Sequence, residues 1–181
     1  MFRVAPWLLT PTIDQRDNVP KDSASTRSNI LAAAVLTLQR GGVEGFTLDA
    51  VARRAGVVKG LILYHYASRS RLLRAAASQI ATARSAAIER ALASASGAGA
   101  LDACWEELRR QAEDGTARAW LSLCSAGIID RSARNSPFED AARDAVIDGS
   151  AIALAAGVPL ADAKDAYDAL WLSLLEVTQK S

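Results

Sequence analysis

The stretch that decides the fold is Thr47-Leu48-Asp49-Ala50-Val51-Ala52-Arg53-Arg54-Ala55-Gly56-Val57-Val58-Lys59-Gly60-Leu61-Ile62-Leu63-Tyr64-His65-Tyr66. Thr47 suits a helix N-cap, because its hydroxyl can accept from an unpaired amide of the first turn. Leu48, Val51, Ala52 and Ala55 follow at helical spacing, and Gly56 permits the sharp turn that ends the segment. The spacing predicts one short helix over 48–54 and a second over 58–64. Val57, Ile62 and Tyr66 are available for a core, while Lys59, Gly60, Leu61, Leu63, Tyr64 and His65 are left for other faces.

Working outward, Ile30, Leu31, Ala34, Val35 and Leu38 mark an amphipathic helix over 26–41 that Gly41 and Gly42 stop. Downstream, Ser68 is a good cap for a long alanine-rich helix over 69–95, which the Ser-Gly-Ala-Gly run at 96–99 ends. Further helices are expected at 101–114, 116–131, 137–156 and 160–178, separated by Gly115, the polar run 131–136, and Gly157 with Pro159. Residues 1–24 contain three prolines and no period, and read as an irregular arm, although Phe2, Trp7, Leu8 and Leu9 could dock on the body. With 38 alanines, 10 aromatic residues, no strand pattern and no internal repeat in 181 residues, the class is all-α. Three regions are expected: the arm at 1–24, a small helical domain at 25–74, and a helical bundle at 75–181.

The formal net charge of +1 conceals an asymmetry. Residues 26–74 hold eight basic residues (Arg27, Arg40, Arg53, Arg54, Lys59, Arg69, Arg71 and Arg74) against two acidic ones, Glu44 and Asp49. Residues 75–181 carry −5. A basic module fused to an acidic one suggests a polyanion partner for the first, although a solvated basic face is an equal alternative from charge alone. Polar residues break every apolar run before the ~18 to 20 residues a membrane span needs, so no membrane association and a cytoplasmic location are expected. Cys104 and Cys124 form no CxxC pair and His65 is the single histidine, which argues against a metal site, a disulfide framework or a cofactor. No nucleophile has a convincing base nearby, so an enzyme is not expected.

A supporting helix followed by two short helices joined through glycine matches the helix-turn-helix plan, in which one helix braces and the next enters the major groove. The run Ile30-Leu31-Ala32-Ala33-Ala34, then Gly42, then 47–57 and 59–66 resembles the amino-terminal domain of the TetR family of transcriptional regulators. The likeness covers residues 26–73, about a quarter of the chain. It implies that Thr47 caps the first short helix and meets a phosphate. It also implies that Lys59, Gly60, Leu61, Leu63, Tyr64 and His65 face double-stranded DNA, with Leu61 or Leu63 able to touch a thymine methyl, and that Arg69 contacts a phosphate. Val51, Ala52, Ala55, Val57 and Ile62 would be core. Two positions depart from the family pattern: Val58 stands where Ser or Thr is common, and Leu63 where Tyr is common.

The resemblance further implies a carboxy-terminal bundle that binds a small-molecule effector and forms a homodimer. Cys104, Trp105, Trp120, Leu121, Cys124 and Ile128 share helix faces that would serve as core or as pocket lining. Ala142, Ala145, Gly149 and Ala153 permit close helix approach, and Tyr167, Leu170, Trp171 and Leu174 form a bulky stripe; together they are the expected dimer interface. One helix of about seven residues reads few bases, so two copies on an inverted-repeat operator are expected. A ligand-released repressor is the leading reading. The alternatives are a DNA-binding or architectural protein without an effector, and a helical protein-interaction module.

Overall fold

A computed structural model of the chain describes residues 19–129 and 138–178. The described residues form helices and no strands: α1 Val19–Gly41, α2 Leu48–Ala55, α3 Lys59–Tyr66, α4 Arg69–Ala93, α5 Ala98–Glu113, α6 Thr116–Ser125, α7 Phe138–Ala155 and α8 Leu160–Thr178. The class is all-α, as the composition indicated.

The local stops act as the residue types dictate. Thr47 Oγ1 accepts from the Ala50 amide at 3.1 Å and caps α2. Gly56 closes it in the left-handed conformation at φ +67°. Ser68 Oγ accepts from the Arg71 amide at 3.2 Å and starts α4. Three boundaries differ from the sequence expectation by three residues or more. α1 begins at Val19, because Pro20 falls in the first turn, where a missing N–H costs nothing; residues 19–24 are therefore helical, and 1–18 lie outside the described residues. α5 starts at Ala98, since the break before it centres on Gly97 at φ +57° and leaves Gly99 helical. α6 stops at Ser125, and Gly127 at φ +64° turns the chain away well before 131.

Two cores organise the chain. The first joins Ile30, Ala34 and Leu38 of α1, Val51 of α2, Ile62 and Tyr66 of α3, and Leu72 through Ile80 of α4. It continues beyond residue 74 and takes in Ala119 and Leu123 of α6. The second gathers Ile88, Cys104, Trp105, Leu108, Val146, Ile147, Ala163, Tyr167 and Trp171 from α4, α5, α7 and α8. Between them, α6 is seated on the end of α1, where Gln39 Nε2 donates to Thr116 Oγ1 at 2.9 Å.

Candidate nucleic-acid interface

The first core fixes which side of α3 looks outward. Ile62 and Tyr66 point inward, and the Tyr66 hydroxyl donates to the Arg27 carbonyl at 3.0 Å while the Arg27 guanidinium lies 5.0 Å over its ring. With α3 rooted on that face, the opposite face carries Lys59, Gly60, Leu63 and Tyr64, with Val58 at its leading end. Tyr64 is 79% exposed and Tyr66 is 5% exposed, a division that follows from their two-residue separation on the helix. Leu61 and His65 are half-buried, and the His65 ring meets Tyr64 edge-on at 5.2 Å.

α2 is braced against α1 by polar contacts. Asn29 Nδ2 donates to the Ala55 carbonyl at 3.0 Å, and Arg54 Nε donates to Thr37 Oγ1 at 3.2 Å. The exposed Thr47 hydroxyl accepts the cap bond and keeps its own proton for an external acceptor. Lys59 Nζ lies 3.1 Å from Asp49 Oδ2, with both side chains more than half exposed. Arg69 works partly inside the chain: its Nε donates to the Phe46 carbonyl at 2.9 Å, and its guanidinium covers the Phe46 ring at 5.6 Å, pinning the start of α4 to the loop before α2. Arg53 and Arg71 are exposed cations flanking this surface, and only the local charge excess signalled them in the sequence.

An exposed face on the second short helix of a braced pair, with cations on the helices before and after it, has the geometry of a major-groove reader. Residues 30–76 match the model for bacterial regulatory proteins of the tetR family. That domain is similar to the TetR family's helix-turn-helix, which supports DNA-binding transcription regulation. Among solved structures, a gamma-butyrolactone receptor (ArpA-like protein) is 22% identical, with 86% of this chain and 88% of that chain covered and a TM-score of 0.52. The multidrug binding protein EbrR, complexed with imidazole, is 22% identical, with 92% of this chain and 97% of that chain covered and a TM-score of 0.50. Both show likeness of fold. None of the curated proteins compared matches the chain.

The six residues expected around a ligand are not brought together at one place. Cys104 and Trp105 are packed against Tyr167 and Trp171 in the second core, and burial pushes the Cys104 thiol pKa up. Ile128 packs on the first core; Leu121 and Cys124 are half-buried on α6. Of the six, Trp120 alone borders a cavity of about 220 Å³ that α4, α6 and α7 wall among the described residues. Its other walls include Arg84, Ile88, Leu92, Asp144, Ile147 and Asp148. The helix wheel of α6 could not reveal this, because the cavity depends on where α7 lies.

The polar centre of that cavity wall was missed at the sequence level. Arg84, 5% exposed, donates from Nη2 to Asp148 Oδ1 at 2.9 Å, and Trp120 Nε1 donates to the same oxygen at 3.2 Å. The guanidinium lies 4.7 Å over the Trp120 ring. Burial lowers the Arg84 pKa, and Asp148 opposes that effect. A signal existed: Arg84 stands in register with Ile80 and Ile88, four residues to either side on the buried stripe of α4.

The expected dimer stripe also divides. Tyr167 and Trp171 face inward within the same subunit, and the Tyr167 hydroxyl donates to the Leu101 carbonyl at 2.8 Å. Leu174 is half-buried against the same core, and Ala142 and Ala153 are half-buried. Ala145, Gly149 and Leu170 face outward, joined there by Ile152, Leu172 and Leu175. α8 is apolar on two sides, so its bulkiest residues satisfied the internal core and a second set was left outside. Among the described residues, no helix is long and apolar enough to cross a membrane.

Proposed function

We propose that this chain is a dimeric operator-binding regulator, acting as a repressor whose hold on an inverted repeat is released by a small ligand. The observation that carries the reading is the division of α3, with Ile62 and Tyr66 rooted in the core and Lys59, Gly60, Leu63 and Tyr64 turned outward. Thr47, Lys59, Leu61, His65 and Arg69 border the same surface and complete the proposed DNA-contacting set. Phosphate contacts dominate such affinity and make it salt-dependent. If Lys59 and Arg69 of two subunits neutralise four phosphates, log affinity falls with log salt at a slope of about −3.6. Lys59→Ala is expected to reduce affinity about tenfold and to flatten that slope. The fold should persist, because the exposed pair with Asp49 contributes little to stability. A mobility-shift titration on a duplex selected by the protein checks both; a flat slope or unchanged affinity would remove Lys59 from the interface.

The effector part of the proposal rests on the α4–α6–α7 cavity. Its volume is below the ~300–1,000 Å³ common for drug-sized ligands, so a small molecule is expected. α6 supports the coupling: Trp120 borders the cavity, while Gly115 and Thr116 at its start press on Gln39 of α1. A ligand that favours one placement of α6 would bias the placement of α1 and, through the shared first core, of α3.

The dimer part rests on the outward face of α7 and α8. Ile152, Leu172 and Leu175 expose large apolar area there, Leu170 adds more on another side of α8, and a Cβ at Gly149 meets nothing within 4 Å, which leaves room for a helix to approach. Gly149→Arg fits the single chain for the same reason. It is expected to shift the protein to monomer in sedimentation and to abolish operator retention while helicity is kept. A dimer that persists and still binds would place the interface elsewhere.

A further inference from the structure

α3 and its cap, residues 58–66, contain no Arg, Asn, Gln, Asp or Glu. Those are most of the side chains that read guanine, adenine or cytosine through paired or directed hydrogen bonds in the major groove. Lys59 is the one residue of the segment that can address guanine strongly; it pairs with Asp49 at 3.1 Å, and the reading above directs its ammonium to a phosphate. What the segment offers instead is apolar. Val58 is 74% exposed and Leu63 is 40% exposed, beside Tyr64. Of the ten exposed large apolar residues among those described, these three lie within seven positions, and six of the others lie between residues 152 and 175. No packing among the described residues accounts for the cluster.

Gly60 adds an independent observation. It lies in the first turn of α3 with an ordinary negative φ, and a Cβ there meets nothing within 4 Å. Neither backbone conformation nor internal packing requires glycine, and glycine weakens a helix relative to alanine. A bare backbone on the outward face, one turn before Leu63 and Tyr64, permits close approach by another molecule.

We infer that the operator half-site is read chiefly through thymine C5-methyl groups, contacted by Val58 and Leu63, with Gly60 letting the groove edge come against the α3 backbone. The inference rests on the DNA-binding reading above. The thymine methyl is the one apolar group that a base pair presents in the major groove, and an aliphatic side chain buries against it without leaving a polar group unpaired. Burying one such carbon is equivalent to about fourfold in affinity.

The test starts from a pool of random duplexes about three helical turns long, from which the full-length protein selects its site. The selected duplex is then made with thymine, with uracil replacing each thymine of the α3 footprint, and with uracil only in the flanks. Uracil differs by the methyl alone. Footprint uracil is expected to weaken binding about fourfold per contacted methyl and at least tenfold for the whole site; flanking uracil should change nothing. Val58→Ala and Leu63→Ala, both at exposed positions, should bind more weakly and discriminate less between thymine and uracil. Gly60→Ala should melt no lower than the parent yet bind at least tenfold more weakly. Equal affinity for the thymine and uracil duplexes overturns the methyl reading, as does a site whose recognition fails on guanine replacement by 7-deazaguanine and not on uracil. A pool from which no duplex is enriched or retarded overturns the DNA-binding reading itself.

Discussion

Asp148→Ala is expected to destabilise the protein by about 3–5 kcal/mol, the cost of stranding a buried cation after its partner is removed. Arg84 and Asp148 are both nearly covered, and Asp148 Oδ1 is the shared acceptor of Arg84 at 2.9 Å and Trp120 at 3.2 Å. Truncation therefore leaves a nearly covered guanidinium and a nearly covered indole N–H without that acceptor. Arginine keeps its charge under almost any condition, so neutralisation offers little relief. Asp148→Asn retains an acceptor and is expected to cost less. Asp49→Ala, at the exposed pair with Lys59, should cost under about 1 kcal/mol. Denaturant unfolding at one fixed protein concentration measures all three, the concentration being held because assembly contributes to apparent stability. An Asp148→Ala cost no larger than that of Asp49→Ala would show that the charge pair does not hold α4 to α7.

The second large effect is expected at Gly115. Its φ of +84° disfavours any side chain, and a Cβ placed there would lie 2.4 Å from the Gln39 carbonyl oxygen and 3.1 Å from the carbonyl carbon. That neighbour is helix backbone and cannot swing aside. Gly115→Ala should therefore lift the start of α6 off α1, break the Gln39–Thr116 hydrogen bond, and cost more than the ~1–2 kcal/mol of left-handed strain. Gly157→Ala isolates the strain, since Gly157 has a similar φ of +79° and its added Cβ meets nothing within 4 Å. The difference between the two variants in denaturant unfolding measures the backbone clash. Equal costs would show that α6 is free to retreat from α1. Because α6 also borders the cavity, Gly115→Ala is expected to alter ligand-linked DNA release even where the fold survives.

The candidate DNA surface was the most legible part of the sequence. Thr47, Gly56 and Ser68 act within a few residues of themselves, so their capping and turning roles can be read without the rest of the chain. Helices as short as α2 and α3 bury one narrow face each, and the spacing of Val51, Ile62 and Tyr66 names that face. Burial of Tyr66 and exposure of Tyr64 follow directly. The same reasoning could not show that the Arg69 guanidinium also meets carbonyls of the loop before α2, because that loop lies 23 or more residues earlier in the chain.

The carboxy-terminal half yields less because its helices are apolar on more than one side. In α8, Tyr167, Leu170, Trp171 and Leu174 recur at helical spacing, and so do Leu172 and Leu175; periodicity cannot rank one stripe as internal and the other as external. Packing against α5 and α7 chose the larger aromatic set for the core. The cavity is likewise a property of three helices, and its Arg84–Asp148 bond joins residues 64 apart. By itself the sequence determined the all-helical class, the caps, and the outward face of α3, since each depends on interactions within one or two turns of chain. Only the tertiary structure decided that Arg84 has a buried partner, that Trp120 rather than Cys104 borders the cavity, and that Tyr167 faces inward. Those outcomes depend on which helix lies opposite, and burial energy is set by that partner rather than by the pattern of either helix alone.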